Sequence, residues 1–166
     1  MMRIRCLCLD VDGVMTDGRL WIDDDGRPLR AFHVHDGFAI RCFQRVGGVV
    51  MILTGKQSNC VAARARELSI EHIVQGSGDK LSDLRRMLAG LAISFEETAM
   101  IGDDWPDMGV MKAVGYPIAV ANAVEEIKAV ARYVTTLRGG EGAVREAIEH
   151  LLGADGRWRE AVERFG

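Results

Sequence analysis

The chain has 166 residues, of which 48% are hydrophobic and 27% charged, and this length and composition predict one compact domain over residues 1–166. Its formal net charge is −3, with lysine and arginine scattered rather than clustered, which argues against a nucleic-acid or an anionic-membrane surface as the main partner. No stretch approaches the ~20 apolar residues of a membrane span and no signal peptide is visible, so we expect a cytoplasmic protein.

Short apolar runs alternate with longer amphipathic runs along most of the chain. The runs that predict β-strands are residues 4–9, 48–53, 72–74, 98–101, 117–120 and 133–135. The runs that predict helices are residues 37–46, 58–68, 79–91, 106–114 and 124–131, with one or two closing helices from Gly142 onward. Strands that alternate with helices imply βαβ units, so we expect an α/β fold: a three-layer, Rossmann-like, mostly parallel sheet with helices on both faces.

Residues 18–34 interrupt this alternation directly after the first strand. Two short runs with alternating apolar positions flank Asp23, Asp24, Asp25 and Gly26, which predicts an inserted β-hairpin. Three consecutive acids resemble a metal cluster, but Asp and Gly between two short strands are typical of a solvated turn. We therefore expect a turn at this point.

Polar side chains follow the predicted strands at the edge where open parallel sheets bind their ligands, beyond the carboxyl ends. These residues, with the lysine that opens the third helix, are Asp10, Asp12, Thr54, Lys80, Asp103, Asp104 and Asp107. Carboxylates grouped in this way repel one another and raise one another's pKa values. A hard divalent cation such as Mg²⁺, which prefers oxygen ligands, removes that conflict.

The chemistry that suits this set is metal-assisted phosphoryl transfer. Asp10 and Asp103 suit as direct metal ligands, and Asp10 is also placed to attack phosphorus. Asp12 would protonate the leaving oxygen and later activate water. Thr54 and Lys80 would bind the phosphoryl oxygens. Each residue alone has an ordinary interpretation as part of a turn, a helix cap or a solvated charge. The indication of phosphoryl transfer therefore comes from the order in which all of them occur along the chain.

Four segments resemble the four successive motifs of the haloacid dehalogenase superfamily: "DVDGVMTDG", "ILTGK", "QGSGDKL" and "MIGDDWPDM". More narrowly, residues 32–41, 63–76 and 138–152 are similar to its small, capless branch, which includes the 3-deoxy-D-manno-octulosonate 8-phosphate phosphatases. The resemblance covers almost the entire chain. It implies a Mg²⁺-dependent phosphatase that acts on a phosphorylated α-keto sugar acid.

The resemblance also implies a role for individual residues. Asp10 would be the nucleophile that forms an aspartyl-phosphate, Asp12 the general acid/base, and Thr54 and Lys80 the phosphate ligands. The implied Mg²⁺ ligands are Asp10, the backbone carbonyl of Asp12, and Asp103, with Asp104 or Asp107 in support. The implied substrate-site residues are His33, Val34, His35, Asp36, Gly37, Arg41, Lys56 and Arg64.

A quaternary structure follows from the same resemblance. Relatives in this branch are homotetramers whose inserted hairpins assemble together, and a neighbouring subunit covers each active site. We therefore expect a homotetramer with the hairpin of residues 18–34 at the interface. The segment "RGGEG" (138–142) is similar to the tail that approaches the neighbouring site, and a simple helix-breaking loop is the alternative.

The substrate has alternatives because the chain departs from the octulosonate branch at two places. Lys56 stands where an arginine usually follows Thr-Gly, and "HVHD" (33–36) stands where Asn-Val-Arg-Asp is usual. Two of the motifs are also similar to nononate 9-phosphate phosphatases, so a nine-carbon sugar acid is an alternative to the eight-carbon one. A phospho-accepting receiver domain, which has similar residues in another order, and a catalytically idle binding module are further alternatives, although the order and the complete set of site residues argue against them. A phosphatase for another small metabolite, or a phosphotransferase, remains open.

Overall fold

The computed structural model describes residues 3–154 and 156–164. Its strands are β1 (Cys6–Leu9), β2 (Trp21–Ile22), β3 (Pro28–Leu29), β4 (Val49–Thr54), β5 (His72–Gln75), β6 (Thr98–Gly102), β7 (Tyr116–Ala119) and β8 (Tyr133–Val134). Its helices are α1 (Val34–Arg45), α2 (Asn59–Glu67), α3 (Lys80–Leu91), α4 (Met108–Ala113), α5 (Glu125–Val130), α6 (Ala143–Gly153) and α7 (Arg157–Glu163), with one 3₁₀ turn over Trp105–Asp107. Every element expected from the sequence is present, with small shifts of the ends.

Six of the strands form one parallel sheet in the order β5–β4–β1–β6–β7–β8. Central β1 is wholly buried, and its Leu7 pairs in register with Val50 on one side and Ala99 on the other. Strands covered on both faces have continuous apolar runs instead of alternation, as β1 and β4 do. The chain extends the sheet from β1 first toward β5 and later toward β8. This reversal opens a crevice at the carboxyl ends of β1 and β6.

Helices cover both faces of the sheet, which confirms the three-layer, Rossmann-like fold. On one face α1 packs against α6 and α7, and on the other α3 packs against α4 and α4 against α5. Right-handed crossovers produce this division, because the two arms of the sheet are wound in opposite directions. Among the described residues, no helix is both long enough and apolar enough to cross a membrane.

The inserted hairpin is confirmed, but its ladder contains only two residues from each strand. Trp21 pairs with Leu29, and the adjoining residues of β2 and β3 pair likewise. One Asp23 carboxylate oxygen accepts hydrogen bonds from the backbone N–H groups of Asp25 and Arg27. Asp23 thus stabilises the turn through its side chain, in agreement with the solvated turn that the sequence predicts.

The segment 138–142 packs against the loop that follows β1 in its own subunit. The N–H of Gly140 donates to the carbonyl of Val14 over 3.0 Å. Gly139 approaches the Gly13 carbonyl so closely that a Cβ at this position would overlap it. Within one chain the segment is therefore a loop that supports the first motif, and its approach to a neighbouring site remains a prediction.

Candidate active site

A cavity of about 310 Å³ opens at the carboxyl edge of the parallel sheet. It is lined by all of the residues predicted from the strand ends: Asp10, Asp12, Thr54, Lys80, Asp103, Asp104 and Asp107. The ends of β1, β4 and β6 and the start of α3 therefore meet, as the sheet order requires. The convergence of residues that are distant in sequence makes this cavity the candidate site.

Three of these carboxylates form a compact group. One oxygen from each of Asp10, Asp103 and Asp107 lies within 4.8 Å of the others, and Asp10 and Asp107 are buried. Gly13 makes the close approach feasible, because its φ of +97° turns the backbone sharply and a Cβ there would overlap the Asp103 carboxylate. Asp104 has a different place: it is exposed and accepts a hydrogen bond from the N–H of Trp105 over 2.8 Å.

Lys80 joins two members of this group from the start of α3. Its Nζ donates to Asp10 Oδ1 over 2.8 Å and to Asp107 Oδ1 over 2.6 Å, and its side chain is only 6% exposed. The helix start is fixed by Asp79, which accepts a hydrogen bond from the N–H of Ser82. This N-cap places Lys80 at the first helical position, so its ammonium group reaches the carboxylates.

The electrostatics of the group favour a further positive charge. Burial, together with the charge of Asp107, raises the pKa of Asp10 to about 6 despite the opposing effect of Lys80. Burial and the charge of Asp10 raise the pKa of Asp103 to about 7. The charges of Asp10 and Asp107 outweigh burial and raise the pKa of Lys80. One ammonium group thus offsets only part of the repulsion among the three carboxylates. Their oxygen atoms are the ligand type that Mg²⁺ prefers, so the group fits this metal.

Asp12 is held separately, by a residue that the sequence analysis did not identify. Arg30 donates from Nε to Asp12 Oδ1 over 2.8 Å and from Nη2 to Asp12 Oδ2 over 3.2 Å. Lys56 Nζ lies 3.8 Å from the same Oδ2. Partial burial raises the pKa of Asp12, but the hydrogen bonds from Arg30 outweigh burial and lower it. No sequence signal indicated Arg30, because it is one of three arginines in an inserted hairpin of solvated character.

The β4 side of the cavity carries the residues of the second motif. Thr54 is buried, and its Oγ1 accepts a hydrogen bond from the N–H of Lys56 over 3.3 Å. The Lys56 side chain is 55% exposed and lines the cavity. A buried hydroxyl beside an exposed cation suits the binding of phosphoryl oxygens.

Most of the other residues predicted for the substrate site lie around the start of α1, outside this cavity. His33 and His35 line a second cavity of about 440 Å³ beside α6. Val34 is 77% exposed. Asp36 is buried and accepts a hydrogen bond from the N–H of Arg145 over 2.9 Å, in the first turn of α6. None of these four residues lines the cavity that contains Asp10, Asp103 and Asp107.

The last three predicted residues have structural contacts in this chain. The guanidinium of Arg64 lies against the backbone of Gly37, where a Cβ would overlap it, and donates to the carbonyl of His33 over 3.2 Å. Arg41 donates to the carbonyl of Leu68 over 3.1 Å and lines a depression at the amino ends of β4 and β5. That depression lies at the opposite edge of the sheet, so the structure does not bring Arg41 to the candidate site.

Comparison with known proteins identifies similar chains. The profile of haloacid dehalogenase-like hydrolases matches residues 50–148. The chain is 44% identical over 158 residues to the 3-deoxy-D-manno-octulosonate 8-phosphate phosphatase of Escherichia coli K12, covering 95% of this chain and 84% of that protein. The crystal structure of the phosphatase of that name from Moraxella catarrhalis, in complex with a magnesium ion, a phosphate ion and KDO, has a TM-score of 0.94 and 38% identity, covering 98% of this chain and 94% of that chain. The cobalt-bound deoxy-D-mannose-octulosonate 8-phosphate phosphatase from Haemophilus influenzae has a TM-score of 0.90 and 34% identity, covering 93% and 90%.

Proposed function

The chain belongs to the haloacid dehalogenase-like hydrolases, and from this premise we propose that it is a Mg²⁺-dependent phosphatase acting on 3-deoxy-D-manno-octulosonate 8-phosphate. The observation that carries the proposal is the buried bridge from Lys80 to Asp10 and Asp107, beside Asp103, in one open cavity. This arrangement offers a nucleophile, a fixed cation and a metal-binding group at one point.

The reaction has two halves. An Asp10 oxygen attacks phosphorus and the sugar oxygen leaves with a proton from Asp12, which forms an aspartyl-phosphate. Asp12 then takes a proton from the water that hydrolyses this acyl phosphate and regenerates Asp10. Lys80 and Thr54 bind the phosphoryl oxygens as negative charge shifts between them. The lowered pKa of Asp12 favours its ionised form, which is the form required in the second half.

The metal site consists of the compact carboxylate group. Asp10 and Asp103 would hold Mg²⁺, and Asp107 rather than Asp104 would support it, because Asp107 lies within the group and Asp104 caps the 3₁₀ turn. When bound, Mg²⁺ polarises the phosphoryl group and offsets the negative charge of substrate and aspartates.

The substrate assignment is tested by phosphate release in the presence of Mg²⁺. We expect kcat/KM for the octulosonate 8-phosphate to exceed that for a nononate 9-phosphate and for 4-nitrophenyl phosphate by at least ~10-fold, because a site that pairs with the polar groups of one sugar acid discriminates against others. Preference for the nononate ester would instead assign the nine-carbon substrate. Turnover of the aryl phosphate alone would remove the sugar acid from the assignment. No phosphate release from any of the three esters, with Mg²⁺ bound, would favour a receiver domain or a binding module.

We also propose a homotetramer in the cytoplasm, with the hairpin at the interface. Four apolar side chains of the hairpin are more than half exposed: Leu20, Trp21, Ile22 and Leu29. Exposed apolar side chains on a short two-stranded ribbon with open edges favour association between copies. The four cysteines are free, as a reducing compartment favours. Light scattering is expected to give four times the chain mass, and a smaller assembly for Trp21→Asp; a wild-type monomer would refute the tetramer.

A further inference from the structure

We propose that Arg30 of the inserted hairpin is a positioning residue, which fixes the Asp12 carboxylate at the point where the leaving oxygen departs. This inference rests on the phosphatase activity proposed above. It assigns a role within its own subunit to a hairpin whose apolar face is otherwise exposed.

The side chain of Arg30 is buried although the hairpin around it is solvated. Its side chain is 4% exposed, whereas Leu29 beside it is 54% exposed and the Arg27 side chain 73%. Its Nε and Nη2 donate to the two oxygens of Asp12, and its Nη1 donates to Ser58 Oγ over 2.8 Å. Every nitrogen of the guanidinium group therefore has an acceptor, which is unusual for an arginine on a surface hairpin.

Through its Nη1, Arg30 is also bonded to the part of the chain that forms the main sheet and its helices. Ser58 is the N-cap residue of α2 and is buried, and its N–H donates to Gln75 Oε1 over 2.7 Å. Gln75 is the last residue of β5. Arg30 thus links Asp12 to Ser58 and, through Ser58, to the edge strand β5. Because its planar guanidinium donates to both carboxylate oxygens, it fixes the orientation of the Asp12 carboxylate as well as its position.

Asp12 depends on this anchor because it lies in a turn rather than in a strand. Its side chain is 18% exposed, and Lys56, the other cation beside it, is 55% exposed and 3.8 Å away. An acid/base must lie within hydrogen-bond reach of the oxygen that it serves, and misplacement by ~1 Å costs about 100-fold in rate. Loss of Arg30 would therefore misplace the Asp12 carboxylate in the proton transfer to the leaving group, and we expect this to outweigh the rise in the Asp12 pKa that follows from losing the same hydrogen bonds.

This role has a signature that loss of fold does not have. A nitrophenolate leaves readily without a proton, whereas an alkoxide or a basic phenolate needs one. The effect of Arg30 on kcat/KM, which reports the steps up to departure of the leaving group, must therefore grow with the basicity of that group. A variant with general damage would lose the same factor on every substrate.

The experiment compares Arg30→Met, Arg30→Lys and Arg27→Met on aryl phosphates from 4-nitrophenyl to phenyl phosphate and on the octulosonate 8-phosphate. For Arg30→Met we expect kcat/KM to fall by about 50–100-fold on the most basic leaving group and by less than about fivefold on 4-nitrophenyl phosphate. Arg30→Lys, which retains a cation without the fork, should recover part of the loss. Arg27→Met, on the same hairpin, should match the wild type throughout.

An equal loss across the series, or a graded loss in Arg27→Met as well, would overturn the proposal. Mg²⁺ affinity of Arg30→Met, measured by calorimetry, should equal that of the wild type, because Arg30 bonds only the side chain of Asp12, whose implied contact with the metal is the backbone carbonyl. A changed affinity would also overturn the proposal. If the wild type hydrolyses aryl phosphates but not the sugar ester, the substrate proposal fails and the aryl series still decides the role of Arg30. If Arg30→Met does not fold, the slope for Arg30→Lys decides.

Discussion

Replacement of Asp10 by asparagine is expected to lower kcat by at least ~10⁴-fold, because the amide cannot form the aspartyl-phosphate on which the proposed reaction depends. The protein should remain folded. Asp10 is buried with its pKa raised to about 6, so its charge is costly in the metal-free state, and Lys80 keeps Asp107 as a partner at 2.6 Å in the variant. Phosphate release and thermal unfolding, measured on the same preparation, separate chemistry from stability.

The matched control for Asp10→Asn is Asp24→Asn, the same chemical change in the exposed turn of the hairpin. It should leave both turnover and Tm unchanged. Normal turnover in Asp10→Asn would rule out Asp10 as the nucleophile. A second check is phosphate incorporation: wild-type protein quenched in acid during turnover should carry a labile acyl phosphate, and Asp10→Asn should not.

The fold and the carboxylate group were accessible from sequence for the same physical reason. Buried parallel strands produce continuous apolar runs, and the end of such a run marks the sheet edge where a ligand binds. Asp10, Thr54 and Asp103 each stand at such an end, so their convergence follows from the topology alone. The distinction between Asp104 and Asp107 did not follow, because it depends on the 3₁₀ turn that exposes the first and buries the second.

The contacts that could not be predicted from the sequence join separate elements. Hydrophobic periodicity indicates which residues form a helix or a strand, but not how these elements are placed relative to one another. Arg30 meets Asp12 because the short hairpin folds back over the β1 loop, and an arginine beside "DDDG" has the pattern of a solvated charge. Arg41 shows the opposite case. Its place in a motif that resembles a substrate segment predicted a contact with substrate, but α1 carries it to the amino end of the sheet. Successive residues of a helix point to different faces and advance along its axis. A residue that is close in sequence to a site residue can therefore lie far from the site in space.

Replacement of Lys80 by methionine is expected to produce the largest loss of stability in the site. The side chain is 6% exposed and is the cation between two carboxylates, so its removal leaves Asp10 and Asp107 facing each other without a positive charge. Removal of one partner from a buried ion pair costs about 3–5 kcal/mol in the free energy of unfolding. We expect a loss of this size at pH 8 in the presence of a chelator, measured by urea denaturation, and a fall in kcat of at least ~10³-fold.

The pH dependence of this loss identifies its cause. The folded-state pKa values of Asp10 and Asp103, about 6 and about 7, lie above the unfolded value of 3.8, so the folded metal-free protein binds more protons than the unfolded chain between these limits. Its free energy of unfolding therefore falls as the pH rises from about 4 to about 7. Without Lys80 both carboxyl groups should hold their protons to higher pH, so the deficit of Lys80→Met should be small at pH 5 and largest at pH 8. Saturating Mg²⁺ should restore part of the lost stability, because the metal supplies the missing positive charge.

The control Lys112→Met, at an exposed position of α4, should show no deficit at either pH. A loss for Lys80→Met that is independent of pH and Mg²⁺ would assign the effect to packing of the lysine stem, and would remove electrostatic relief of the carboxylates as the role of Lys80.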